Sequence, residues 1–268
     1  MKGRVLICAG SDSGGGAGIQ ADIKAVTALG GFAMTAITAL TAQNTLGLQG
    51  VMGVEAGFIR LQIASVLDDL GADAIKTGML HDTPTLEAVC DEIAARAPGV
   101  PLVADPVMVA KGGHALLAPD AVETLKRRLL PLATVVTPNL PEAEVLVGFP
   151  VTDEASMREA ALVILAMGVP AVLLKGGHLE GDILVDLLAT AEGIIRYEDR
   201  RIATRHTHGT GCTTASAIAT GLAQGLALEP AVARARAYVR AAILAAPGYG
   251  SGHGPLDHGV TVDANRFG

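Results

Sequence analysis

Short apolar runs that alternate with helical stretches constrain this chain more than any other feature. RVLICA (4–9), FAMTAITAL (32–40), DAIKTG (73–78), VPLVADP (100–106), TVVTP (134–138) and PAVLLKGG (170–177) read as strands. Helices are expected between them: AGIQADIKAVTAL (17–29), stopped by Gly30-Gly31, AGFIRLQIASVLDDL (56–70), TPTLEAVCDEIAARA (83–97), opened by Thr83-Pro84, and PDAVETLKRRLL (119–130). Met157, Ala160, Ala161, Ile164 and Met167 recur at helical spacing. DILVDLLAT and GIIRYEDR, within 182–200, read as an antiparallel pair turning at Ala191–Gly193, and helices over 211–224 and 229–246 follow. This order predicts an α/β fold: a mostly parallel central sheet, helices on both faces and an antiparallel edge. There is no internal repeat and no linker, so one domain spanning 1–268 is expected.

In open α/β sheets, ligands bind beyond the C-terminal ends of the strands. The segments at those ends are GSDSGGGAG, TAQN, GML, DPVM, PNLPEAE and KGGH. The unusual polar and glycine-rich residues therefore fall at one end, as a single cleft requires. GSDSGGGAG is neither a dinucleotide fingerprint nor a Walker loop, and reads equally as a flexible turn or as a backbone cradle for a ligand. Lys175, beside two glycines, suits a phosphate or a hairpin turn alike. Asn139 and Glu142 share one face of a first helical turn, where they can hold hydrated Mg²⁺ or simply cap the helix. Asp105 closes an apolar strand as a metal partner or as a loop cap. His206 and His208 lack a third ligand at a zinc spacing, so they read as structural.

Composition narrows the function classes. Half of the 268 residues are hydrophobic, only 3% are aromatic and Trp is absent, so the core is built from Ala, Val, Leu and Ile. The mean hydropathy of +0.44 raises the question of a membrane span. Asp22, Lys24, Gln43, Asp68 and Asp69 interrupt every candidate before the ~18 apolar residues a span needs. The first apolar run is too short for a signal peptide. The three cysteines, Cys8, Cys90 and Cys212, are scattered, which argues against a disulfide framework and for a reducing, cytoplasmic setting. The net charge of −7 comes without a long basic run, and KRR (126–128) reads as a solvated helix face. Neither nucleic acid nor membrane is expected as a partner.

THGTGCTTASAIA (207–219) carries the most chemistry. Gly209, Thr210, Gly211 and Cys212 open a helix of small residues, whose first N–H groups are unpaired and whose dipole favours an anion. A thiol placed there is expected to have a lowered pKa.

These segments resemble a family. AGSDSGGGAGIQADIKA, ITALTAQNT, IKTGML, DPVMVAKGG, LLPLATVVTPNLPEAE, LLKGGH, THGTGCT and GHGPLDH together are similar to the hydroxymethylpyrimidine and phosphomethylpyrimidine kinases of thiamin biosynthesis. That family is ribokinase-like, which implies a three-layer α/β/α kinase domain, ATP and Mg²⁺ as cofactors, a pyrimidine substrate and a homodimer. The first loop departs from it: Ser13-Gly14 stands where the family usually has Pro or a similar residue before Ser-Gly-Gly, which implies a looser loop. The resemblance implies that Gln43 reads the pyrimidine edge. Met79 packs on the ring, Gly10 and Ala17 approach it, and Thr41, often Val in the family, alters the pocket slightly. Asp105 and Glu142 are implied at the metal, Asn139, Thr210 and Lys175 at ATP, and Gly209 and Gly211 as the anion hole. Cys212 takes the place of the Asp base of the sugar kinases. Asp12 and Asp22 lie near this pocket without an assigned role. Pyridoxal kinase is the nearest rival reading and a cysteine-nucleophile hydrolase the more distant one.

Overall fold

The computed structural model describes residues 2–108, 116–118, 120–263 and 265. His114 and the VAKGG part of DPVMVAKGG lie outside the described residues.

The first strand, β1 (Arg4–Ala9), runs through the middle of the molecule and is buried from Val5 onward. Leu6 and Cys8 enter the apolar cluster on one face of the sheet, while Val5, Ile7 and Ala9 enter the cluster on the other. A strand buried on both faces has to be apolar throughout, and RVLICA is. The remaining elements follow as α1 (Gly18–Ala28), β2 (Phe32–Ile37), β3 (Ala39–Asn44), β4 (Gly47–Gly53), α2 (Ala56–Asp69), β5 (Ala74–Thr77), α3 (Thr83–Arg96) and β6 (Leu102–Ala104). Then come α4 (Ala121–Thr124), β7 (Val135–Val136), α5 (Leu140–Val147), α6 (Glu154–Leu165), β8 (Ala171–Lys175), β9 (Ile183–Thr190), β10 (Gly193–Arg200), α7 (Thr210–Ala223) and α8 (Leu228–Leu244).

Eight strands form one sheet in the order β10-β9-β8-β7-β6-β5-β1-β2. From β2 to β8 every pairing is parallel, and β9 and β10 add the antiparallel edge. Residues of α1, α7 and α8 fill the core on one face, and residues of α2, α3, α5 and α6 fill it on the other. This is the expected three-layer α/β/α architecture.

Two stretches differ from the sequence reading. The run at 32–40 is two strands, because the chain leaves the sheet at Thr38. There the Thr38 hydroxyl donates to the Met79 carbonyl at 2.6 Å, and its amide donates to Ala9. β3 then pairs with β4 as a separate antiparallel ribbon, with a bulge between Ala42 and Gln43. The helix expected over 119–130 is one α turn, α4, continued by a π turn at Leu125–Leu129 and a 3₁₀ turn at Leu130–Leu132.

The helix α7 is the element that most needs its composition. Thr213 to Gly221 are all buried. Thr213, Thr214 and Thr220 turn their hydroxyls back to the carbonyls of Gly209, Thr210 and Ser216 at 2.7–2.8 Å, which satisfies polar groups that burial would otherwise penalise. A Cβ on Gly221 would stand 2.7 Å from that of Ala231 on α8, so the two helices pack with almost nothing between them.

Candidate active site

The C-terminal ends of β1, β5, β6, β7 and β8 open into a cavity of about 430 Å³. Every residue given a site role from the sequence lines it, while Asp22 and His206 do not: Gly10 and Ala17 come from the first loop, Thr41 and Gln43 from β3, and Met79 after β5. Asp105 follows β6, Asn139 and Glu142 open α5, Lys175 ends β8, and Gly209, Thr210, Gly211 and Cys212 open α7. A second cavity of about 400 Å³ lies between the β9–β10 edge and α7–α8. Asn139, Lys175, His178, Thr207, Thr210 and Gly211 line both. The two cavities therefore meet at the first turn of α7.

That turn is held from several sides. Gly209 has a φ of +85°, and a Cβ there would overlap the Gly16 carbonyl oxygen, so only glycine lets the turn close on the first loop. Asp12, 1% exposed, organises this loop. Its carboxylate accepts from the amides of Gly14, Gly16 and Ala17 at 2.7–3.1 Å and pairs with His208 Nε2 at 2.9 Å. The loop with the unusual Ser13-Gly14 is thus tied down rather than loose. From the far side, the segment 254–258 docks on α7. The His208 amide donates to Gly254, and the Thr213 hydroxyl lies 3.0 Å from His258 Nε2.

The family model described as phosphomethylpyrimidine kinase matches residues 12–257. The chain is 50% identical to the hydroxymethylpyrimidine/phosphomethylpyrimidine kinase of Streptomyces coelicolor, over 96% of this chain and 95% of that one. The chain belongs to the phosphomethylpyrimidine kinase family. It is also 51% identical to the thiamine biosynthesis bifunctional protein ThiED of Geobacter sulfurreducens, over 99% of this chain but only 54% of that longer protein. Among solved structures, a pyridoxal kinase of Bacillus subtilis in complex with ADP superposes with a TM-score of 0.90 at 37% identity, covering 97% of this chain and 98% of that one.

Electrostatics corrects one expectation for this family member. Burial pushes the Cys212 thiol up to about 12, not down. Lys76 pulls it back, Asp22 and Asp105 push it further, and the Gly18 amide donates to its sulfur. Loss of water and two carboxylates outweigh the half-charge of a helix start. Cys8 and Cys90 are likewise raised to about 12 by burial.

Three further side chains are less free than the sequence implies. The Thr41 hydroxyl donates to the Ser11 carbonyl at 2.8 Å, so it faces the loop, and the Ala17 amide is committed to Asp12. Asn139 and Glu142 form a capping box, each side chain accepting from the other's amide at 2.9 Å. The pair therefore caps the helix, and the Glu142 carboxyl also accepts from the Met108 amide.

Asp105, 2% exposed, accepts from Thr137 at 3.1 Å and from Lys175 at 3.2 Å. Burial raises the Glu142 carboxyl to about 7; Lys175 opposes this and the charge of Asp105 adds to it. Two carboxylates pressed together behind one ammonium form a donor set that fits Mg²⁺, an ion that takes one or two carboxylates and keeps waters for the rest.

Lys76 is a further charged residue at the site. It is fully buried on β5 and donates to both oxygens of Asp22, at 3.0 and 2.9 Å. His208, read as structural, lines the cleft. A lone Lys inside an apolar strand was the available signal, since such a residue stays buried only with a partner.

Proposed function

We propose that this protein transfers the terminal phosphoryl group of ATP to the hydroxymethyl group of 4-amino-5-hydroxymethyl-2-methylpyrimidine, and then phosphorylates the resulting monophosphate. These are steps of thiamin biosynthesis, carried by one kinase domain over residues 1–268. One observation carries the reading: two cavities, each large enough for a small ligand, meet at a single helix start rich in backbone N–H donors. The cavity with Gln43 and Met79 takes the acceptor, and the one along β9–β10 and α8 takes the nucleotide. Relatives at about half identity that are named hydroxymethylpyrimidine/phosphomethylpyrimidine kinase support the assignment.

Gln43 offers a donor and an acceptor to the aminopyrimidine edge, while Met79 and Gly10 form the floor beneath the ring. Lys175 and Asn139 hold the ATP phosphates from the β8 side. The Gly209–Cys212 amides stabilise charge on the group in flight, and Thr210 closes this turn. Asp105 and Glu142 would hold Mg²⁺, which would supply positive charge against the polyphosphate. Cys212, as its thiolate, accepts the proton of the hydroxymethyl group while the oxygen–phosphorus bond to the acceptor forms and the bond from that phosphorus to the departing ADP breaks. Phosphoryl transfer asks mainly for positioning and electrostatics, and the cleft supplies both. A cysteine-nucleophile hydrolase would need a general base paired with Cys212, whereas the sulfur accepts from the Gly18 amide.

The protein is read as a cytoplasmic homodimer. No helix among the described residues is long and apolar enough to cross a membrane. Phe32, Leu46, Met52, Phe58 and Leu61, on β2, the β3–β4 ribbon and α2, each leave half or more of their surface open, which suits an interface with a second copy. Equilibrium sedimentation checks this.

A second reading, pyridoxal phosphorylation, is favoured by the close superposition on the Bacillus subtilis pyridoxal kinase. Mass spectrometry of reactions with Mg·ATP and each acceptor decides. Mono- and diphosphorylated pyrimidine are expected. Phosphorylated pyridoxal without either pyrimidine product would hand the assignment to the rival.

A further inference from the structure

The first turn of α7 is flanked by two ammonium–carboxylate pairs, and the mechanism above uses only one. Lys175, paired with Asp105, lies on the cleft side, where a Cβ on Gly211 would come within 3.3 Å of its Nζ. Lys76 lies on β5, where it lines the same cavity as Cys212. Its ammonium is fully buried and spends two of its three donors on Asp22, which also accepts from the Ser216 hydroxyl at 2.7 Å. Ser216 is four residues beyond Cys212 and so shares its helix face. The path from Lys76 to Cys212 thus runs through one face of α7 and one face of α1. Lys76 also reaches the cavity wall. Gly78 makes room for it, since a Cβ there would stand 2.8 Å from the ammonium and 3.0 Å from the Ala9 side chain.

A buried charge of this kind is expensive, and a packed apolar pair would hold β5, α1 and α7 together at least as well. Structure alone therefore gives Lys76 no reason to be charged. Its position gives one: it lines the same cavity as Cys212, and its ammonium draws the thiol toward the charged form. We propose that Lys76 is a positioning residue for phosphoryl transfer, fixed by Asp22 and Ser216 so that its ammonium stabilises the negative charge Cys212 must carry to accept the substrate proton. Lys76 thus supplies a counter-charge that does not compete with the phosphates held by Lys175. This inference rests on the reading of Cys212 as the proton acceptor.

The test uses the full chain with Cys8 and Cys90 changed to Ala, so that iodoacetamide reports on Cys212 alone. In K76M the alkylation rate should fall roughly tenfold or more, the range expected when a close opposite charge is lost. D22N should move it the other way, because Asp22 opposes the charge on the sulfur. A purely structural role would shift both variants in the same direction. K76M should also lower kcat by about tenfold or more with both KM values kept, and should add little in a C212A background. If K76M does not fold, as judged by its thermal melt, K76M/D22N removes the stranded carboxylate and is read instead, with slower alkylation still expected. Alkylation in the folded variant within about threefold of the parent, well under the effect of a lost neighbouring charge, overturns the proposal, as does an equal kcat loss with and without Cys212. If no acceptor is phosphorylated at all, the kinase reading fails, and the alkylation rates still decide for Lys76.

Discussion

At the scale of single residues, Cys212 and Gln43 make separable claims. Cys212→Ala removes the proton acceptor but keeps the backbone N–H of the anion hole. It should lower kcat by about two orders of magnitude, as for a lost general base, with both KM values nearly unchanged. Cys212→Asp should recover part of that rate. Activity of Cys212→Ala within about threefold of the parent, against that expectation, reduces the cysteine to a small residue in a tight turn. Gln43 lines the acceptor cavity and hydrogen-bonds Asp12. Burial alone would raise Asp12, but His208, Gln43 and the Ala17 amide hold it at about 2. Gln43→Ala should therefore raise KM for the pyrimidine far more than KM for ATP, and steady-state kinetics with each substrate varied will show whether it does. The residues at strand ends were legible because the topology rule locates them. Lys76, Asp12 and His208 were not. Their meaning lies in partners 54 and 196 residues away, a separation no local pattern encodes.

At the scale of elements, strand and helix boundaries followed from periodicity, and the failures have local causes. Thr38 breaks a continuous apolar run because its amide and hydroxyl are claimed by β1 and by the loop after β5. The β3–β4 ribbon was missed because TAQNTLGLQG is too polar and too rich in glycine to read as paired strands. Its turn signal was Asn44, whose side chain accepts from the Leu46 amide at 2.9 Å. The α7 turn carries a graded prediction. Gly209→Ala forces a side chain into the Gly16 carbonyl at positive φ, so it should cost on the order of 1–3 kcal/mol in stability and lose most activity. Gly211→Ala meets the Lys175 ammonium at 3.3 Å and the Asp105 carboxylate at 3.7 Å, with no backbone atom among these contacts, so it should fold normally and mainly raise KM for ATP. Thermal melts alongside kinetics separate the two, and equal melting temperatures would show that the Gly209 turn can shift.

At the scale of the whole molecule, the sheet order was not legible: alternation implies a parallel sheet, but not that β1 sits between β5 and β2. The docking of segment 254–258 has a pH signature. Burial, with Lys24 adding, lowers His258 to about 4. The unfolded chain then binds a proton between about pH 6.5 and 4 that the folded chain does not, so stability falls as pH drops through that window, by roughly 2–3 kcal/mol. Glu142, raised to about 7, acts in the opposite sense. The contribution of His258 is therefore the difference between parent and His258→Gln in urea melts at pH 7 and 4.5, and identical slopes would rule it out. The same docking has a consequence in time. The apolar layers of α2, α3, α5 and α6 rest largely on neighbours in sequence, whereas the turn at Gly209 waits for residue 12 on one side and residue 258 on the other. Contacts spanning so much chain form late. A refolding sample should regain its helical signal well before it regains turnover, leaving for a while a compact kinase that has its pockets but cannot yet hold an anion.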